Sequence, residues 1–321
     1  MMPTTHDIQL AVQRIEPYIW HTPLEYSSPL SNLTGATCWL KMETWQRTGS
    51  FKVRGATNRM LQLTAEERTR GVITASAGNH AQGIATCAVK FGIPATIVVA
   101  HDTSSAKIAA LQRYASEWVT LDIQGKNYDE AEAYAIALSV QKQRTFISPY
   151  NDAGVIAGQG TVAVEILEDQ PQIDTMLIPV SGGGLAAGMS LWARRIHPEI
   201  QLIGVQSVAS PAMHAALKAG AIVQVPIESS LADGLAGNIQ ANSITFPICQ
   251  RELAGVVLVT EDSIRDAIRW LMTEMHIIVE GAGAVAVAAL LSRAWSPSPQ
   301  SHVALVLSGR NIAQSTLKEL L

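Results

Sequence analysis

The sequence predicts an α/β protein of two lobes, each a mostly parallel sheet flanked by helices, with a cleft between them. Three observations carry this. Short β-branched runs alternate with segments of helical period from residue 71 to 141. The same alternation returns between residues 155 and 307. Several strands run straight into turns of small residues, at Ser76–His80, Ser181–Leu185 and Ser308–Asn311. Alternation of this kind argues for parallel strands covered by helices on both faces. Turns at strand ends are expected to face the cleft.

In chain order, Thr5 is placed to cap a helix carrying Ile8, Val12 and Ile15. Residues 18–24 form a loop with a proline stop, and 38–42 read as a strand. Helical spacing of Val53, Ala56, Met60 and Leu61 follows and runs to about residue 63. Strands are expected at 71–75, 94–100 and 117–121, with helices at 80–91 and 127–141 and a cap at Ser104 or Ser105 for one between them. In the second half, helices are read at 155–167, after the glycines at 182–184 to Arg195, from a Thr260 cap, and at 282–291. Strands are read at 175–180, 201–205 and 302–307. Residues 208–256 show only helical patches, at 212–219 and 245–252. No repeat or low-complexity linker interrupts the chain. Domains are expected over 1–68 with 150–321, a large cofactor-binding unit, and over 69–149, a small mobile one.

Bulk properties narrow the function. The chain has 321 residues, 48% hydrophobic and 16% charged, enough for one large or two ordinary cores. A net charge of −4 gives no basic excess, which argues against nucleic acid as a partner. Cys38, Cys87 and Cys249 are far apart and read as buried thiols in a reducing compartment. The first twenty residues have charges and no apolar core, and the longest apolar run, 281–291, is too short to span a bilayer. A cytoplasmic protein that avoids membranes is expected.

The chemistry centres on Thr48–Gly55 (TGSFKVRG). Lys52 keeps apolar company there. It is either an ordinary first-turn lysine or a partly desolvated amine, available as nucleophile or Schiff-base former. Ser181, Gly182, Gly183, Gly184 and Leu185 follow a buried strand and precede a helix. They form either a tight turn or a set of bare N–H groups for a phosphate. The pattern is neither GxGxxG nor a Walker motif. Ser76, Ala77, Gly78, Asn79 and His80 occupy a similar junction. Ser76 or Asn79 is either a helix cap or a ligand for an oxygen-bearing group, and His80 reads as a helix-start residue bonded locally. Ser308 closes the last strand. Metal and triad motifs are missing: no HExxH, no GxSxG, and eight scattered histidines. A sheltered lysine together with a phosphate cradle points to pyridoxal phosphate, which needs an amine for its aldehyde and an anion site for its phosphate.

The segments TGSFKVRGA (48–56), SAGNHAQG (76–83), VIAGQGT (155–161), SGGGL (181–185), ADG (232–234), VEGAGAVA (279–286) and SGRN (308–311) resemble the serine/threonine dehydratase family. These are pyridoxal phosphate enzymes of fold type II, like the tryptophan synthase β chain. The resemblance spans nearly the whole chain in the family's order. It implies a cofactor in the cleft, Lys52 as the Schiff-base lysine, Phe51 against the pyridine ring and Asn79 on the 3-hydroxyl. It places the phosphate on Gly182, Gly183, Gly184 and Leu185 beside Ser181, and Ser308 on the ring nitrogen. Gly234 and Glu280 join the cofactor shell. Ser76–His80 would hold the substrate carboxylate, with Tyr150 near the substrate side chain. The implied activity is an ammonia-lyase converting L-threonine or L-serine to a 2-oxo acid and ammonia, in a homodimer. Racemisation, or dehydration of 3-hydroxyaspartate or another hydroxy amino acid, is the alternative.

Four departures bear on that choice. Serine racemases carry a second serine where Ala77 stands. Relatives with a divalent metal have an acidic residue where Gln206 stands, so no metal is expected. An end at Leu321 leaves no room for a regulatory domain. Arg310 replaces the glycine usual before the asparagine.

Overall fold

Residues 2–320 are described by a computed structural model. Helix α1 (Thr5–Ile15) buries Ile8, Ala11 and Ile15 along one face. Its cap is Thr4, one residue before the expected Thr5. The Asp7 N–H donates to the Thr4 hydroxyl, and the Asp7 carboxylate accepts from Thr4 N at 2.8 Å. There follow β1 (Leu24–Tyr26), α2 (Ser28–Thr34), β2 (Thr37–Lys41), α3 (Lys52–Leu61) and α4 (Ala65–Arg70). Sequence reading misses β1, α2 and α4. The strand has only three residues, and α4 buries none of its side chains, so neither leaves a hydrophobic period.

The smaller sheet comprises β3 (Val72–Ala75), β4 (Ala95–Val99), β5 (Val119–Ile123) and β6 (Thr145–Phe146). Its order is β5-β4-β3-β6 and every pairing is parallel. Helices α5 (Asn79–Phe91), α6 (Ser105–Gln112) and α7 (Tyr128–Gln141) make the crossovers. Ser104 and Asn127 cap the last two. Strand β5 begins two residues later than expected because Ser116 and Val119 bond each other across a tight turn.

The chain then returns through α8 (Ala153–Asp169), β7 (Thr175–Pro179), α9 (Gly184–Ile196), β8 (Gln201–Ser207), α10 (Ala212–Ala219), α11 (Thr245–Glu252), β9 (Gly255–Val259), α12 (Glu261–Glu274), α13 (Gly281–Leu291), β10 (His302–Val306) and α14 (Gln314–Leu320). The larger sheet has the order β1-β2-β10-β7-β8-β9, and only β1 runs antiparallel. Strand β10 lies between β2 and β7, with His302 opposite Thr37 and Val306 opposite Lys41. Strand β9, which begins where the stretch that sequence leaves largely unplaced ends, is an edge strand with incomplete burial. Helices α8 and α13 are buried almost throughout, as parallel-sheet helices between layers must be.

Arg54, two residues into α3 from Lys52, is fully buried. Its guanidinium reaches both oxygens of Glu43 (2.8 and 2.7 Å) and both of Glu165 (2.6 and 2.8 Å). Lys41 Nζ adds a bond to Glu165 at 2.6 Å. Burial would raise the Glu165 carboxyl, but Arg54 and Lys41 hold it well below the usual range. This network ties α3 to β2 and α8. No helix among the described residues is long and apolar enough to cross a membrane.

Candidate active site

Lys52 is the first residue of α3, with Phe51 as its N-cap. The Phe51 N–H donates to the Ser308 carbonyl at 3.1 Å, which pins the start of the helix to the end of β10. Lys52 Nζ donates to the Pro149 carbonyl at 2.9 Å and lies 5.2 Å from the centre of the Phe51 ring. Burial pushes this amine down to about 8, against the opposing pull of the Glu280 carboxylate.

Pro149 leads directly to Tyr150, whose ring lies over the glycine turn. A Cβ on Gly182 would come within 2.5 Å of that ring, so only glycine fits beneath it. Gly183 caps α9 at φ +88°, a conformation glycine adopts freely. Thr245 Oγ1 donates to the Gly182 carbonyl, and the Cys249 thiol lies 3.9 Å from that of Gly183. Leu185 is buried and anchors α9 to the core. The first turn of α9 therefore presents N–H groups without helical partners on a turn braced from below. Backbone N–H of Gln240 donates to the Tyr150 hydroxyl at 3.0 Å, and Asn151 bonds Gln240 and Ile244. These bonds seat residues 238–244 against the same turn.

The Ser76–His80 loop departs from its sequence reading. Neither Ser76 nor Asn79 caps α5; the cap is Gly78, with no side-chain bond. Ser76 Oγ accepts from Gly78 N at 3.2 Å. Asn79 Nδ2 instead donates to Glu280 Oε1 at 2.6 Å, across 201 residues. The His80 bond is not local either. Its Nε2 meets the Ile147 carbonyl at 3.3 Å, and the ring is buried. Burial, with the Lys52 charge adding to it, pushes His80 down to about 3, so the ring is neutral. Ala77 packs its methyl group on the core of the smaller sheet.

Glu280 is buried at the N-terminus of α13. Burial pushes its carboxyl up to about 7, with Asp233 adding to the rise, while the Asn79 amide and an Asn311 backbone N–H oppose it. Ser308 is buried, and its Oγ donates to the Ala282 carbonyl at 3.2 Å. Gly234 lies in a short turn beside Ala282, and its neighbour Asp233 pairs with Lys107 of α6 at 2.7 Å. Arg310 is exposed and lines a cavity of about 610 Å³ with Trp45, His276 and Ile278.

These contacts link expected residues in three groups: Phe51 with Ser308, Lys52 through Pro149 and Tyr150 with Gly182, and Asn79 with Glu280. Sequence reading missed the Pro149 carbonyl, Thr245 and Cys249. It quoted Asn311 within a motif without giving it a role. The arrangement offers an amine lowered to about 8, a glycine turn with free N–H groups and a carboxamide held by a buried carboxylate.

Known proteins share this arrangement of chain. Residues 15–309 match the family described as pyridoxal-phosphate dependent enzyme. The chain is 42% identical to an L-threonine ammonia-lyase of Thermotoga maritima over 311 residues, 97% of this chain and 76% of that one. It is 41% identical to an L-threonine ammonia-lyase of Geobacter sulfurreducens over 317 residues, 99% of this chain and 77% of the other. Maize serine racemase superposes with a TM-score of 0.93 at 30% identity, covering 99% of this chain and 97% of its own. The processed form of threonine deaminase isoform 2 from Solanum lycopersicum gives 0.87 at 34%, covering 99% and 94%.

Proposed function

This chain belongs to the pyridoxal-phosphate-dependent enzymes, and from that premise we propose that it is an ammonia-lyase releasing a 2-oxo acid and ammonia from L-threonine or L-serine. The observation that carries the reading is the Lys52 amine, lowered to about 8 and linked through Pro149 and Tyr150 to a glycine turn braced for an anion.

The residues present fit the cofactor. Lys52 Nζ suits its aldehyde, the 181–185 turn its phosphate, and Phe51, Asn79 and Ser308 its ring. The Gly182–Gly184 turn admits a phosphate where any Cβ at Gly182 would strike Tyr150. When bound, pyridoxal phosphate supplies the electron-withdrawing ring that makes the substrate α-proton removable. Lys52, neutral in much of its population near pH 8, is the base that takes this proton at Nζ. Ser308 would offer a hydroxyl to the ring nitrogen in place of an aspartate, which would leave the ring a weaker electron sink and so would favour elimination. Backbone groups of 76–80 orient the substrate carboxylate. Tyr150, with residues 238–244 seated against its turn, borders the substrate side chain.

Racemisation needs a second proton carrier on the face opposite Lys52. Ala77 supplies none at the loop position where one would stand, so elimination is the better reading. The remaining parts of the proposal have separate support. All four strands of the smaller sheet lie within residues 72–146, which favours domains at 1–68 with 150–321 and at 69–149. Three buried free cysteines suit a reducing cytoplasm. A homodimer is the form proposed from the resemblance.

The test is 2-oxo acid release from L-threonine, L-serine, D-serine, 3-hydroxyaspartate and phenylserine, with Lys52→Ala alongside. Release from L-threonine or L-serine that vanishes in the variant is expected. Interconversion of enantiomers without oxo acid would replace the lyase reading with the racemase one.

A further inference from the structure

The Asn79 carboxamide lies in a chain of hydrogen bonds whose polarity is fixed from the Thr48 end, with which an ionised Glu280 agrees. At one end is the Thr48 carbonyl, which can only accept. It takes a hydrogen from Asn311 Nδ2 at 2.8 Å. That fixes the amino end of Asn311 toward Asn79, and the same Nδ2 donates to Asn79 Oδ1 at 2.7 Å. The amino end of Asn79 must then point the other way, where it meets Glu280 Oε1 at 2.6 Å. An ionised carboxylate only accepts, so this end agrees with the first. The Glu280 N–H also donates to the Gly309 carbonyl at 3.1 Å, which holds its backbone to the loop carrying Asn311. These bonds join the starts of α5 and α13 to the loop after β10. Asn79 Nδ2 has two hydrogens, and Glu280 takes one.

We infer that Glu280 is a positioning residue: its carboxylate turns the Asn79 amide so that an N–H, and not the carbonyl, is offered to the cofactor oxygen. The inference rests on the reading of Asn79 as a cofactor ligand. Glu280 reaches that oxygen through Asn79, and its charge is felt separately by Lys52. The two ends of a carboxamide are alike in shape and opposite in hydrogen-bonding sense. A flip would set the Asn79 oxygen against Glu280 and against an electron-rich cofactor oxygen together. Charge near the ring is set by Lys52 in the cleft and by Asp233 and Lys107 at its edge, all of which act on or feel Glu280.

A double-mutant cycle on the holoenzyme tests this, read as cofactor dissociation during dialysis and as the position of the visible band of the bound cofactor. Asn79→Ala is expected to weaken retention about tenfold, the loss of one good hydrogen bond to a charged group. Glu280→Leu should weaken it by a similar factor, and the double variant no further than Asn79→Ala alone. Glu280→Gln, which keeps an acceptor, should stay within about threefold of wild type. Should Glu280→Leu not fold, Asn311→Asp serves: it replaces the donor facing Asn79 Oδ1 with an acceptor at nearly constant shape, and should weaken retention and shift the band as Glu280→Leu would. Losses that multiply in the double variant would overturn the positioning role. A tenfold loss in Asn79→Ala with none in Glu280→Leu or Asn311→Asp would also overturn it. Unchanged retention in Asn79→Ala would instead remove the reading of Asn79 on which the inference stands.

Discussion

Replacing Arg54 with methionine removes the one cation shared by two buried carboxylates. Glu165 keeps Lys41 Nζ at 2.6 Å and the Thr22 N–H at 3.2 Å. Glu43, fully buried, keeps only the Thr22 hydroxyl at 2.5 Å. The loss is therefore that of one stranded carboxylate, about 3–5 kcal/mol for breaking a buried pair from one side. With a slope of roughly 5 kcal/mol per molar in guanidinium chloride, the unfolding midpoint should fall by about 0.8 M. Tryptophan fluorescence across a guanidinium series reads this directly. The companion variant Arg54→Met/Glu43→Gln removes the stranded charge and should recover at least half of the loss. A fall below about 0.2 M, or a double variant no more stable than the single, would refute the reasoning, because the burial of Glu43 would then carry no charge penalty.

Two further outcomes follow from the site. Gly183→Ala forces a side chain into φ +88° and sets a Cβ 2.8 Å from Met213 Cε and 3.0 Å from Thr245 Cβ, so it should cost about 1–3 kcal/mol of stability. Its effect on cofactor binding should be greater for pyridoxal phosphate than for pyridoxal, compared by titrating apo-protein with each; equal losses would remove the turn from the phosphate site. The rate at which apo-protein captures the cofactor aldehyde should rise with pH, reach its midpoint near 8 and level off about one unit above, since the neutral amine is the nucleophile and Lys52 is lowered to about 8. A rate still climbing beyond pH 9.5 would mean an ordinary, solvated lysine.

Much of the fold is legible in sequence for a physical reason. Strands buried on both faces read as continuous apolar runs, as Ala95–Val99 does, and the amphipathic helices between them change the period. Residues 221–244 are opaque because almost nothing local holds them. Their shape comes from distant partners: Asn151 and Tyr150 on Gln240, Ser210 on Gly237, and Glu261 on Ser230 and Leu231. In the site, Lys52 and the glycine turn stand out because each marks a junction between elements. Asn79 also stands out, but a cap and a long-range ligand look alike until its partner 201 residues away is known. Thr245 and Cys249, under the turn, belong to a short helix with no pattern that would single them out.

The position of β10 between β2 and β7 has a consequence for how the protein is made. All four strands of the smaller sheet have been synthesised by residue 146, so that unit can fold well before the chain is complete. The larger sheet cannot. Until residues 302–306 arrive, β2 has no partner on its inner edge and β7 none on one side. Ser308, which follows immediately, is the last of the site residues to be synthesised. A nascent chain thus carries Lys52 for some 250 residues of translation before its pocket closes, about 12–50 s at ordinary elongation rates. Throughout that interval Lys52 lacks the burial that lowers its amine, so it stays an ordinary protonated lysine until the pocket closes around it.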